Sequence, residues 1–272
     1  MNRWLDGLKQ LRDYPSALAG LAIITFLVAL SVYTVISIPY SEALDRWRGG
    51  EHWQMNPVNA GPVWANRLLG GDLPQTRTVT SDNAEVREVP FEGGKQVRIP
   101  LTFDYDNEGF PSELNLFLNQ KGTQQEAFVR LTWHTPSGET IALGGRRVSE
   151  EGRISITQNR ALEGRLGMVP HVGLFAGDSD PASPEAQQGQ YRLTVDAMLF
   201  DPGAELEADL AVYGRVHGLA GTDYQRRDLM LALMWGTPVA LAFGLLAAVG
   251  TTVTTLIIAA TGVWFGGWVD AL

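Results

Sequence analysis

Histidine is the side chain most ready to move protons or ligate a metal near neutral pH, and this chain has four of them, at positions 52, 134, 171 and 217. His52, His134, His171 and His217 are dispersed, without the close pairing of helical zinc sites, and read as ordinary surface or packing residues. No G-x-S-x-G nucleophile motif is present. Gly94-Lys95 is followed by Gln96 and has no glycine five residues before Gly94, so a phosphate-cradling loop is absent. The one acidic constellation, Asp104-Tyr105-Asp106-Asn107-Glu108-Gly109, opens like a calcium loop, with oxygen-bearing side chains at alternate positions and glycine sixth. Position twelve is Asn115 where such a loop needs a bidentate glutamate, so an acidic turn between strands is the simpler reading of Asp104, Asp106 and Glu108. No catalytic, cofactor-binding or metal-binding residue is expected, and the chain is not expected to be an enzyme.

Composition narrows the partners. The chain of 272 residues carries a formal net charge of −9, and residues 41–225 hold 26 Asp plus Glu against 16 Lys plus Arg, a net of −10. An acidic surface without a basic stripe argues against nucleic acid and anionic headgroups. With no cysteine there is neither disulfide nor thiolate metal site, so this segment must stabilise itself by its core. At about 185 residues it is long enough to do so.

Two apolar stretches flank it. Between Asp13 and Glu42 lie 28 uncharged residues, and Ala17 to Ile38 is long enough to cross a bilayer with some tilt. A signal peptide is the competing reading, but its apolar core would be about 7 to 15 residues. Leu229 to Val269 is a run of 41 uncharged residues, more than one perpendicular span needs. Pro238 is expected to split it, leaving Arg226 to Trp235 as a separate short helix and Thr237 to Thr261 as the span proper. Gly244, Gly250, Gly262 and the threonines at 251, 252, 254 and 255 would let that helix pack on protein. Arg3, Lys9 and Arg12 place the start of the chain in the cytoplasm and its middle outside.

The middle reads as β-structure. Strand-like runs occur at 77–80, 96–103, 113–119, 127–133, 140–143, 153–157, 190–200 and 205–216, separated by Glu92-Gly93-Gly94-Lys95, Pro136-Ser137-Gly138 and Asp201-Pro202-Gly203. The fold class expected is therefore a membrane α-helical protein with two transmembrane helices and an inserted, mainly-β extracytoplasmic domain, an antiparallel β-sandwich. The divisions are a cytoplasmic start at 1–16, a first span at 17–38, an irregular linker at 39–75 and the β-rich domain at 76–220. An external motif with a short interfacial helix at 221–236, a second span at 237–262 and a cytoplasmic end at 263–272 complete them.

The run Gly221-Thr222-Asp223-Tyr224-Gln225-Arg226-Arg227-Asp228-Leu229, then Gly236-Thr237-Pro238, Gly244 and Gly266-Gly267-Trp268-Val269-Asp270, resembles the permease subunits of dipeptide/oligopeptide/nickel-type ABC importers. Asn56-Pro57-Val58-Asn59-Ala60-Gly61-Pro62-Val63-Trp64-Ala65-Asn66 is similar to a stretch of some members. Arg226 stands where the family has glycine, and the external insert is unusually large. The resemblance implies an N-terminal part of a permease, ending before roughly four further spans, that imports peptides or similar solutes from the plasma or inner membrane as a multi-pass protein. It also implies a second permease subunit, two cytoplasmic ATPase subunits, an extracytoplasmic solute-binding protein and membrane lipid as partners, with no nucleic acid.

The motif residues are then architectural. Thr222, Asp223, Arg227 and Asp228 would cap and orient the outer helix, Gly266 and Gly267 would allow a turn, and Trp268 would anchor at the interface ahead of Asp270. The alternative is a membrane-anchored extracytoplasmic sensor or ligand-binding module. Trp47, Trp53, Trp64 and Trp133 are its available aromatics, although core packing accounts for Trp133 more cheaply.

Overall fold

The computed structural model describes residues 14–123, 125–177, 180 and 182–266. It divides into two units, Met1–Gly49 with Met230–Leu272, and Gly50–Leu229.

The first unit is helical. Helix α1 (Pro15–Ser37) starts on its proline, whose fixed φ and missing N–H suit a first turn, and α2 (Tyr40–Arg48) follows at once. The long C-terminal helix, Leu229–Phe265, runs unbroken through Pro238. The expected separate helix over Arg226 to Trp235 is therefore corrected: it starts at Leu229 and continues into the span. Proline forfeits one i→i−4 bond, and the remaining turns of a 37-residue helix hold their geometry cooperatively around that loss. The helix is about 55 Å long at 1.5 Å per residue. Both it and α1 are long and apolar enough to cross a membrane. Several of their hydroxyls bond within the helix: Thr237 donates to the Leu233 carbonyl at 2.8 Å and Thr252 to that of Ala248 at 2.8 Å. In-helix bonding of this kind makes Thr compatible with an apolar surround.

The second unit is an antiparallel β-sandwich. After a short helix α3 (Trp64–Leu69) come β1 (Arg77–Thr80), β2 (Arg87–Phe91), β3 (Gly94–Tyr105), β4 (Glu113–Lys121), β5 (Ala127–His134), β6 (Thr140–Val148) and β7 (Glu151–Ser155). Helices α4 (Arg160–Leu166) and α5 (Pro170–Gly173) precede β8 (Gly189–Leu199) and β9 (Glu205–Tyr213), and the long helix is α6. One sheet has the order β1-β9-β4-β7 and the other β2-β3-β8-β5-β6.

Period-two alternation packs them face to face. On β3 the side chains of Val97, Ile99, Leu101, Phe103 and Tyr105 are buried, and those between them are not. Leu193, Val195, Ala197 and Leu199 of β8, with Leu114, Leu116 and Leu118 of β4, complete the same core. At one end the rings of Phe103, Tyr105, Trp133, Phe175 and Tyr191 meet with centroids 4.7 to 6.4 Å apart. Trp133 Nε1 donates to the Leu174 carbonyl at 3.1 Å, and Tyr191 Oη to that of Gln187 at 2.7 Å. These bonds satisfy the polar tips of the buried rings. Trp133 is thus a core residue and not a ligand platform.

Strand β2 and helices α2, α3, α4 and α5 escaped the sequence reading, and the linker expected to be irregular over 39–75 is corrected, since it holds α2 and α3. Arg-Glu-Val-Pro-Phe carries a proline and no buried face, because β2 is an edge strand with every residue exposed. Helix α4 is capped by Asn159, whose Oδ1 accepts from the Leu162 N–H at 3.1 Å.

Candidate functional site

The segments that carried the family resemblance meet in the structure, although about 160 residues separate them. Gly221 has φ +77, and a Cβ there would lie 2.3 Å from the Ala60 carbonyl oxygen, so only glycine fits. Thr222 is buried; its hydroxyl donates to the Pro57 carbonyl at 2.7 Å and accepts from the Ala60 N–H at 3.0 Å. Asp223 accepts from the backbone N–H groups of Gln225 (2.8 Å) and Arg227 (2.9 Å) and pairs with the Arg227 guanidinium at 2.7 Å. Burial pushes the Asp223 carboxyl upward, but the bonds from Arg227 and Gln225 outweigh it and hold the group below the usual carboxylate range. Arg226 adopts φ +67, stacks its guanidinium 4.4 Å from the Tyr213 ring centroid and pairs with Glu113. These residues form a latch that closes the polypeptide just before α6.

The other singled-out positions scatter. Asp228 immediately precedes α6 and bridges to Thr222 in antiparallel register. Gly236 borders an apolar depression with Leu27, Leu233 and Leu241, while Gly244 faces open space on α6. Gly266 ends α6 at φ +56, as expected of a C-terminal glycine. Gly267, Trp268 and Asp270 lie outside the described residues. In the acidic turn, Asp106 pairs with Arg77, and Asp72 accepts from the Glu108 N–H at 3.1 Å. Among the described residues no group of three His, Cys, Asp or Glu side chains is placed to hold a metal ion.

The site that the sequence did not disclose lies on the outer face of the five-stranded sheet. A cleft of about 690 Å³ has as its floor Arg98, Pro100 and Thr102 of β3, Arg192, Thr194 and Asp196 of β8, and Thr132 and His134 of β5. Val79, Thr80, Asn83, Ala84, Glu85 and Arg87, where the chain passes from one sheet to the other, form its wall. Cross-strand register sets the rows: Arg87 opposite Arg98, Arg98 opposite Asp196, Asp196 opposite Arg130, and, further along, Thr102 opposite Arg192 opposite His134. Arg98 Nε donates to Asp196 at 2.6 Å, Arg192 Nε to the Thr102 hydroxyl at 3.2 Å, and His134 Nδ1 lies 3.2 Å from the Thr140 hydroxyl. A second depression of about 330 Å³ shares His134 and Arg192 and extends toward Pro136 and Gln190. The register slips between Leu131 and Thr132 opposite Gly144 (φ +108), a bulge that bends β6 beside the floor. Guanidinium, hydroxyl, imidazole and carboxylate groups converge here without a paired nucleophile and base, which suits binding more than catalysis.

No protein-family model and no curated protein matches the chain. Among solved structures, the chain is similar to carbohydrate-binding modules of the β-sandwich superfamily at 13% identity and a TM-score of 0.26, over 58% of this chain and 62% of that one. A family 6 carbohydrate-binding module matches at 11% identity and 0.22, over 51% and 93%, and an infectious bursal disease virus structure at 11% and 0.25, over 55% and 36%. At such scores the likeness assigns no function.

The permease expectation is corrected. No family model matches the chain, those of ABC permeases included, so the resemblance of the motif segments does not make it a member of that family. The Gly221–Asp228 and Asn56–Asn66 segments hydrogen-bond to each other within the second unit.

Proposed function

We propose that this protein is a membrane-anchored ligand-binding module, with the sandwich presented outside the membrane and the cleft on its five-stranded sheet as the binding site. The observation that carries this is the cleft itself, an open depression lined by convergent polar side chains on a rigid sheet. Its floor spans three adjacent strands, so the ligand groups it meets are fixed by register and not by loop motion. Four threonines, at 80, 102, 132 and 194, offer hydroxyls able both to donate and to accept, which matches a polyhydroxylated ligand such as an oligosaccharide. Aromatic platforms are not part of the lining, so hydrogen bonds would supply most of the recognition. Helices α1 and α6 take lipid as their partner, and no reaction is assigned to the module.

An oligosaccharide array probed with the full chain in detergent tests this reading. Binding to a subset of glycans that Thr194→Trp abolishes, by filling the floor, is the expected result. Glycan binding unaffected by that substitution, or a blank array, sinks it.

A further inference from the structure

The charges in the cleft run against those of the rest of the molecule. The chain is acidic overall, yet the cleft is lined by the guanidiniums of Arg87, Arg98 and Arg192 against the carboxylates of Asp196 and Glu85, and Arg87 stands directly opposite Arg98. Like charges directly opposite on neighbouring strands destabilise a sheet, and Asp196 relieves only the Arg98 member of the Arg87–Arg98 pair by its 2.6 Å bond. Arg192 enters the same floor two rows along. The wall contributes one opposing charge, Glu85. A local excess of guanidinium on an otherwise acidic protein favours an anionic group in the cleft.

We infer that the cleft takes a carboxylated, uronate-type oligosaccharide, with Arg87 and Arg192 as the two guanidiniums that receive its carboxylates and the threonines receiving its hydroxyls. Planar guanidinium matches carboxylate with two parallel N–H···O bonds, a geometry that lysine lacks. Repeating acidic sugars also suit the extension of the floor into the second depression beyond His134. This inference rests on the binding-module reading and adds the charge class of the ligand.

The test is calorimetric titration of the full chain in neutral detergent with a uronic-acid trisaccharide and with the neutral trisaccharide of the same linkage, plus a triglutamate peptide as a charge control. The acidic trisaccharide is expected to bind about tenfold tighter than the neutral one at low salt, with the preference shrinking as salt rises. Arg87→Gln and Arg192→Gln should each erode that preference, Arg192→Lys should keep part of it and so report an intact fold, and Glu85→Gln should strengthen acidic binding. Equal affinity for the two sugars, or tighter binding of the neutral one, overturns the inference while leaving the binding module standing. Stronger binding of triglutamate overturns the saccharide class. Binding of none of the three overturns both readings.

Discussion

Thr222 and His171 are the residues whose surroundings make the clearest demands. The Thr222 hydroxyl serves the Pro57 carbonyl and the Ala60 N–H inside a buried latch. Thr222→Val keeps the shape and removes both bonds, which should cost about 1–3 kcal/mol because buried backbone groups lose their partners; the urea midpoint of the domain reads it. His171 is partly buried, with Nδ1 unpartnered, and burial, helped by the Arg215 charge, lowers its pKa from the ordinary histidine value. The folded state therefore binds the proton less well than the unfolded one, so its stability is complete above about pH 6.5 and declines as pH falls through that value toward the folded pKa. Denaturation midpoints at pH 7.5 and 5.5 should differ more for the wild type than for His171→Asn; equal differences would show that the histidine contributes nothing. The sequence placed all four histidines as ordinary, but nothing in it put His134 beside Arg192, since that neighbour arrives from another strand.

Among the elements, the strands are where local pattern and final structure agree best. All eight runs expected to be extended became strands, and in β3, β5 and β8 the alternation buries one face as expected. β2 stayed hidden because an edge strand needs no buried face, and α4 because its short helix depends on a cap and on packing of Leu162. Asn159→Ala should remove that cap and the bond from Asn159 Nδ2 to the Leu143 carbonyl (3.1 Å), destabilising the domain by about 1 kcal/mol. Ile99→Ala, in the middle of β3 and fully buried, should cost about 2–5 kcal/mol through lost burial and a residual cavity. A smaller loss for Ile99 than for Asn159, measured by the same unfolding experiment, would mean the sandwich core is not where the structure puts it.

For the molecule as a whole, the division into a helical unit and a sandwich predicts separable behaviour. The sandwich has its own contiguous core, so residues 50–228 expressed alone should fold and stay soluble, with cooperative unfolding by circular dichroism. The full chain should remain with the membrane pellet after alkaline carbonate extraction if α1 and α6 act as anchors, since they expose apolar side chains such as Ile24, Phe26, Leu246 and Ile257 that a bilayer would cover. Release into the supernatant would refute the anchoring role. Two apolar helices, an acidic β-rich middle and the inward face of the central strands β3, β5 and β8 follow from local composition and period, because burial and bilayer thickness act on neighbouring residues. Strand order does not, since pairing is set by the closure of the entire core. That closure brought Arg98 to Asp196 across 98 residues, joined Thr222 to Pro57, and turned scattered arginines and threonines into a cleft.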